Sequence, residues 1–288
     1  MMYSLSVRND KGELLTLTNN PDFSILDVSG TNPPVGTINT VNIAGFDGSR
    51  FNSARAEPRN IVILLNIHPP MEENRLKIYK FFRVKQPVRV FMKNAHRNVY
   101  IDGYVETVEN NPWTQLQQPQ ISIICPQPYW KNAKETVVNF SYSTPLFEFP
   151  FAIPAEGIEF STREMVAVAT VDVGEIGTGG IIELTAAYGD VKNPIFYNRT
   201  TQEFFGVTVD MVQGDKVIIN TLRGQKSVKL VHLGAETNLI ANRTEGSTWL
   251  QFVAGENEIS YSADVVEQEP TADNLLVRFI VTRLFEGV

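Results

Sequence analysis

The chain has 288 residues, long for one domain, so two domains of roughly 130 to 160 residues each are expected. Hydrophobic residues make up 43% and charged residues 20%, enough apolar material for real cores and too much for a disordered chain. The formal charge of -7, spread without blocks, excludes the clustered Lys and Arg of a duplex-binding surface and permits an acidic wall past which DNA slides.

No apolar run approaches the roughly 18 residues of a membrane-spanning helix. The longest, Ile61-Val62-Ile63-Leu64-Leu65, is strand-sized. The opening Met1-Met2-Tyr3-Ser4-Leu5 lacks the basic and apolar regions of a signal peptide, so synthesis and folding in a cytoplasm are expected, with no membrane partner. Cys125 is the single cysteine, and His68, His96 and His232 lie far apart, which excludes an intrachain disulfide and offers no metal set.

In chain order, the first distinctive element is a hairpin. Asp47-Gly48 is a strong hairpin signal joining arms at 37–43 and 50–55. These arms read as polar on both faces, unlike the core strand at 61–65. Such a hairpin either projects into solvent or pairs with a neighbouring subunit. Its candidate contact residues are Ile38, Val41, Ile43, Phe46, Asp47, Gly48, Phe51 and Arg55.

A helix is predicted over 71–82. Pro69-Pro70 and Glu72-Glu73 mark its start, and Pro87 blocks its continuation. Met71, Ile78 and Phe82 with Leu76 and Tyr79 form the expected apolar face. Period-two alternation then predicts strands at 88–92 and 99–108. Cys125-Pro126-Gln127-Pro128-Tyr129-Trp130 ends a strand, because two prolines in three residues cannot sit inside a sheet. The domains are accordingly expected at 1–135 and 136–288.

The second half offers new strands from Phe147-Glu148-Phe149-Pro150-Phe151, then at 181–184, 207–211, 217–219 and 228–231, with a turn near 160–165. The fold class is mainly β: two β-sandwich domains, the first with one short helix.

Chemistry does not assemble. G-x-S-x-G, H-E-x-x-H, P-loop and G-x-G-x-x-G patterns do not occur. Gly177-Thr178-Gly179-Gly180 leads into a strand and reads as a turn. His96 sits in a polar loop, and His232 reads as a core-edge or paired residue. The sequons at Asn198 and Asn242 carry no weight without a secretory signal. No cofactor is expected. Trp249, Tyr197 and Tyr188 are the aromatic candidates for stacking on a sugar, although a Trp flanked by Leu250 and Phe252 is more often core.

The order of motifs carries a resemblance. The first half, through Gly45-Phe46-Asp47-Gly48-Ser49, Pro58-Arg59-Asn60-Ile61, Tyr79-Lys80-Phe81-Phe82, Tyr100-Ile101-Asp102-Gly103-Tyr104-Val105-Glu106 and Cys125-Pro126-Gln127-Pro128-Tyr129-Trp130, resembles the N-terminal domain of the siphophage distal tail (Dit) family. Gln127 stands where that family usually has an acidic residue. The second half is similar to the family's C-terminal domain. Its matching pieces are Lys192-Asn193-Pro194-Ile195-Phe196-Tyr197-Asn198, Gly214-Asp215-Lys216-Val217-Ile218-Ile219-Asn220-Thr221, Asn238-Leu239-Ile240, Ser247-Thr248-Trp249-Leu250, Gly255-Glu256-Asn257-Glu258-Ile259 and Phe285-Glu286-Gly287-Val288.

The resemblance implies a second sandwich of galectin-like or jelly-roll type and a structural, non-enzymatic virion protein at the tail tip. It further implies a homo-hexameric ring joining a tail tube protein to a tail-associated hub protein, with receptor-binding proteins at the periphery and viral DNA passing through the channel. On that reading the 37–55 hairpin is the inter-subunit arm. A carbohydrate-binding adhesion module of a baseplate is the second function; a hydrolase on a β scaffold has no nucleophile–base pair to support it.

Overall fold

The structure, a computed structural model, describes residues 3–45, 47–145, 161–165, 168–266 and 269–288. The chain forms two compact units, Met1–Lys134 with Leu284–Val288, and Glu135–Arg283. The expected division assigned 284–288 to the second domain. Instead Leu284–Phe285 pairs with Trp130–Asn132, so the second unit is inserted between two parts of the first.

The first unit contains β1 (Ser4–Arg8), β2 (Leu14–Thr16), β3 (Phe23–Ser29), β4 (Gly36–Asn42), β5 (Ser49–Ala56), β6 (Arg59–Ile67), helix α1 (Met71–Phe81), β7 (Pro87–Lys93), β8 (Asn98–Glu109), β9 (Gln120–Cys125) and β10 (Trp130–Asn132). One antiparallel sheet runs β2-β1-β7-β8-β9-β6-β3, with β10 against the first half of β8. Alternation sorts each strand into a core face and an outer face. On β6 the residues Arg59, Ile61, Ile63, Leu65 and Ile67 are buried while Asn60, Val62, Leu64 and Asn66 face outward. Each fully buried Ile or Leu stabilises by roughly 1.5–3 kcal/mol. Residues from β1, β3, β6, β7, β8 and β9 join Ile78 and Phe82 of the helical segment in one buried cluster.

The helix lies where it was predicted, but with a narrower buried stripe. Ile78 and Phe82 are buried, whereas Leu76 and Tyr79 are exposed. Asn74 takes the place one turn before Ile78, and its Nδ2 donates to the His68 carbonyl at 2.9 Å. A polar side chain satisfied by backbone thus substitutes for part of the expected apolar face.

The second unit is a sandwich. A six-stranded sheet (Thr136–Asn139, Leu275–Val281, Ile181–Ala186, Lys216–Asn220, Ser227–His232, Ala235–Asn238) faces a four-stranded sheet (Val168–Asp172, Glu256–Ser262, Ile195–Asn198, Glu203–Gly206). Phe196 from one sheet meets Phe279 from the other at 5.7 Å between ring centroids. Two readings of this half are corrected. The expected strand at 207–211 reduces to a bridge at Val207 and the pair Asp210–Met211, because Val207 and Thr208 turn to bond the 242–243 segment. The expected turn at 160–165 is a strand over Ser161–Met165, whose partner Ser141–Pro145 supplies the ladder that its own mixed sequence does not announce. Residues 147–151, where new strands were expected to begin, lie outside the described residues.

Three motifs of the first unit converge on one buried side chain. Arg59 is 4% exposed. Its Nη1 donates to the carbonyls of Gly30 (2.7 Å) and Asn32 (2.5 Å), its Nε to Pro128 (2.8 Å) and its Nη2 to Glu286 (2.5 Å). The guanidinium carbon lies 5.6 Å from the Trp130 ring centroid. Desolvation draws the Arg59 pKa below its ordinary value, with Cys125 and Glu286 acting in the opposite direction; arginine starts so far above neutrality that it stays charged. Gly30 is required here. Its φ is +79°, and a Cβ would come within 1.9 Å of the Asn60 carbonyl oxygen.

Replacing Arg59 by Met leaves these carbonyls without their shared donor. Arg59→Met is expected to destabilise by about 3 kcal/mol in urea unfolding, while the exposed Arg55→Met stays within about 0.5 kcal/mol. Equal midpoints for the two variants would remove Arg59 from this role. Burial also pushes the Cys125 thiol up to about 12, with Arg59 opposing. The contribution is present below the ordinary thiol range and is lost as pH rises through the raised value. The thiol is therefore expected to resist maleimide in the native protein at neutral pH and to react once urea unfolds it; rapid native labelling would contradict its burial.

Candidate functional site

Among the described residues, the hairpin β4/β5 forms a sheet of its own that pairs with no other strand. Nearly all its positions are exposed on both faces. A free two-stranded hairpin of this kind is marginal in water. Its base is fixed by the Glu57 amide donating to the Val35 carbonyl at 2.8 Å and by Arg55 Nε donating to Glu57 at 2.9 Å. Hydrogen bonding from Thr37, then from Arg55, holds the Glu57 carboxyl below its ordinary range.

The register changes how the arms read. Asn39 pairs with Ser53, but Thr40 pairs with Phe51, so Asn52 is an extra residue on β5. A one-residue slip moves a strand's side chains to the opposite face. Were the pairing unbroken, Asn52 would stand opposite Thr40, and Phe51 opposite Val41 on the face of Ser53 and Arg55. With the extra residue, Phe51 joins Thr40, Ile38 and Ala54. The arms are therefore not polar on both faces, as their composition suggested. One face carries Ile38 (66% exposed), Phe51 (62%), Thr40 and Ala54, with Asn42 and Ser49 towards the tip; the other carries Val41 with Thr37, Asn39, Arg50, Ser53 and Arg55.

The other candidates fall into place around this division. Ile43 is exposed near the tip with Asp47 and Gly48, and Phe46 lies outside the described residues. Val35, 75% exposed at the base, was not among the sequence candidates. The signal for it was only its position before the arm.

The three aromatic candidates are not brought together. Trp249 packs on Phe205 at 4.9 Å, on the core side of the four-stranded sheet, with Lys226 Nζ 5.4 Å from its ring centroid. Tyr197 pairs across strands with Phe204, the neighbour of Phe205, and so lies on the opposite face of that sheet. Its hydroxyl accepts from Ser262 at 3.1 Å. Tyr188 sits in the turn after Ile181–Ala186 of the six-stranded sheet, its amide bonded to the Asn274 carbonyl. They offer a sugar no common platform.

His232 has a structural partner. His232 Nδ1 lies 2.6 Å from the largely buried Asp215, whose other oxygen accepts from the Val212 amide. This is the paired histidine of the sequence reading. Among the described residues, no three His, Cys, Asp or Glu side chains are grouped to hold a metal ion.

No protein-family model matches the chain, and no curated protein matches it in sequence. Solved structures do match. The Dit protein of phage SPP1, described as a paradigm of hub adsorption apparatus in phages infecting Gram-positive bacteria, aligns with a TM-score of 0.67 at 10% identity, covering 98% of this chain and 99% of that one. The fold is that of a phage distal tail protein. A chain of the phage P2 baseplate in its activated conformation with Ca gives a TM-score of 0.54 at 11% identity, and the form with Sr gives 0.52 at 10%, each over 100% of both chains. A Dit-type fold shared at such identity is a shared backbone path, so the hairpin's side-chain roles are read from this chain alone.

Exposed apolar side chains on the hairpin contribute little to the isolated subunit. Phe51→Ser is expected to leave its unfolding midpoint within about 0.5 kcal/mol of wild type while reducing self-association measured by light scattering. A large loss of subunit stability would show that Phe51 is covered within its own chain.

Proposed function

We propose that this chain is a structural component of a bacteriophage tail tip, acting as the ring that joins the tail tube to the tip hub. The observation that carries the reading is the Dit-type fold over 98% of the chain combined with a hairpin that pairs with no other strand among the described residues. A rotational ring needs heterologous contacts, in which one surface of a subunit meets a different surface of the next. A projecting hairpin with one apolar face suits such a contact by adding to a neighbour's sheet or packing on its surface. In this proposal the first units close a homo-hexamer around a channel and the second units decorate it. The tail tube protein and a hub protein bind the two ends of the ring, and receptor-binding proteins attach at its edge. Viral DNA passes through without specific contacts. The protein works in the virion after synthesis in the host cytoplasm, and its role is mechanical rather than enzymatic.

The test is direct. Purified full chain is expected to give six-fold rings with a central hole by negative-stain imaging and the matching mass by light scattering. Deleting residues 40–52 is expected to yield a smaller folded species. A wild-type monomer at imaging concentrations, or an unchanged hexamer after the deletion, would overturn the hairpin-closed ring.

A further inference from the structure

The charge of the chain is segregated by unit, although it looks evenly spread along the sequence. The first unit has fifteen Lys and Arg against twelve Asp and Glu, and the second has ten against twenty. Part of the first unit's excess lies on the outer face of β1, β7, β8 and β10. Registers there form cross-strand rows: Arg8–Arg89–Asp102, Ser6–Phe91–Tyr100–Lys131 and Ser4–Lys93–Asn98. Four cations thus share this face with Asp102.

The first row contains a like-charge pair. Arg8 and Arg89 are directly opposite, an arrangement that destabilises an antiparallel ladder unless an anion lies between or beside the two charges. Asp102 cannot serve both. Its Oδ1 accepts from Arg89 Nε at 2.6 Å and its Oδ2 from Lys131 Nζ at 3.0 Å. Among the described residues no carboxylate pairs with Arg8 or Lys93. Arg8 and Arg89 also line an open cleft of about 310 Å³ with Asp102, Tyr104 and Asp10, the last already paired with Arg83 at 2.5 Å, and Arg8 and Lys93 line an adjoining one of about 210 Å³.

We propose that this face docks a carboxylate-bearing segment of a partner polypeptide, with an Asp or Glu side chain bridging Arg8 and Arg89. An arginine fork matches a carboxylate in two parallel hydrogen bonds, and Arg8 has its fork free while Arg89 uses only its Nε. The aromatic rings argue against a single-stranded nucleic acid, which would need open ring faces for its bases. Arg8 lies over Phe91 at 5.1 Å, Arg89 over Tyr100 at 4.2 Å and Lys131 over Tyr100 at 5.7 Å. The Phe91 and Tyr100 rings are thus covered by cations, and the exposed Tyr104 is a single ring in the cleft, too few for a run of stacked bases. This assignment does not depend on the tail-tip reading.

A fluorescent oligoglutamate peptide, titrated with full-length protein at low ionic strength, provides the test. Saturable binding is expected in fluorescence anisotropy, weakened roughly tenfold by Arg8→Gln and unaffected by Arg50→Gln on the hairpin. An oligothymidylate of equal charge is expected to bind more weakly. The proposal fails if wild-type protein does not bind the peptide or if Arg8→Gln and Arg50→Gln behave alike. It also fails if the oligothymidylate binds as tightly and loses affinity with Arg8→Gln, which would point to nucleic acid.

Discussion

One buried guanidinium organises the first unit. Arg59 gathers carbonyls from Gly30, Asn32, Pro128 and Glu286, segments separated from it by as many as 227 residues. An unpaired buried charge would cost several kcal/mol, so the geometry is tolerated only because each of its nitrogens finds a partner. The consequence is topological. The chain must leave for the second unit after β10 and come back to place Glu286, and Arg97 reinforces the return by donating to the Gly287 carbonyl. Trp130–Asn132 and Leu284–Phe285, which flank the inserted segment in sequence, are thereby held in the first unit's own sheet.

The same constraint sets up the hairpin. Gly30 and Asn32 precede β4, and Arg59 opens β6 immediately after β5. Both roots of the hairpin are therefore held within a few residues of the Arg59 cluster, while among the described residues its arms make no sheet pairing beyond one another. A rigid root lets a marginal two-stranded element persist without a core beneath it. Asn52 then decides which side chains face which way. Fold and proposed function meet at these residues: the buried arginine steadies the arm, and the bulge gives it one apolar side.

Much of this architecture was legible in the sequence where local chemistry decides it. Pro69-Pro70 and Pro87 bracket the helix, Asp47-Gly48 marks the hairpin, and alternation locates β7 and β8. What escaped depended on partners distant in sequence. The motifs around Arg59, Trp130 and Glu286 were visible as separate pieces, but nothing local says that an arginine beside Asn60 is buried. Asn74 could not be assigned to the core without the His68 carbonyl. The strand Ser161–Met165 has no alternation of its own and exists through its partner. The Arg8–Arg89 pair requires the β1/β7 register, and the amphipathic hairpin requires the register around Asn52. Aromatic type alone nominated Trp249, Tyr197 and Tyr188, and strand alternation separates them.

The proposed ring requires the β4/β5 hairpin to be the surface through which copies of this chain meet. Hydrogen–deuterium exchange across a concentration series, from dissociated subunit to assembly, tests it most directly. Amides over 36–56 are expected to exchange quickly in the subunit and to become protected in step with assembly, while those of β6 stay protected throughout. Assembly that leaves exchange over 36–56 unchanged would contradict it.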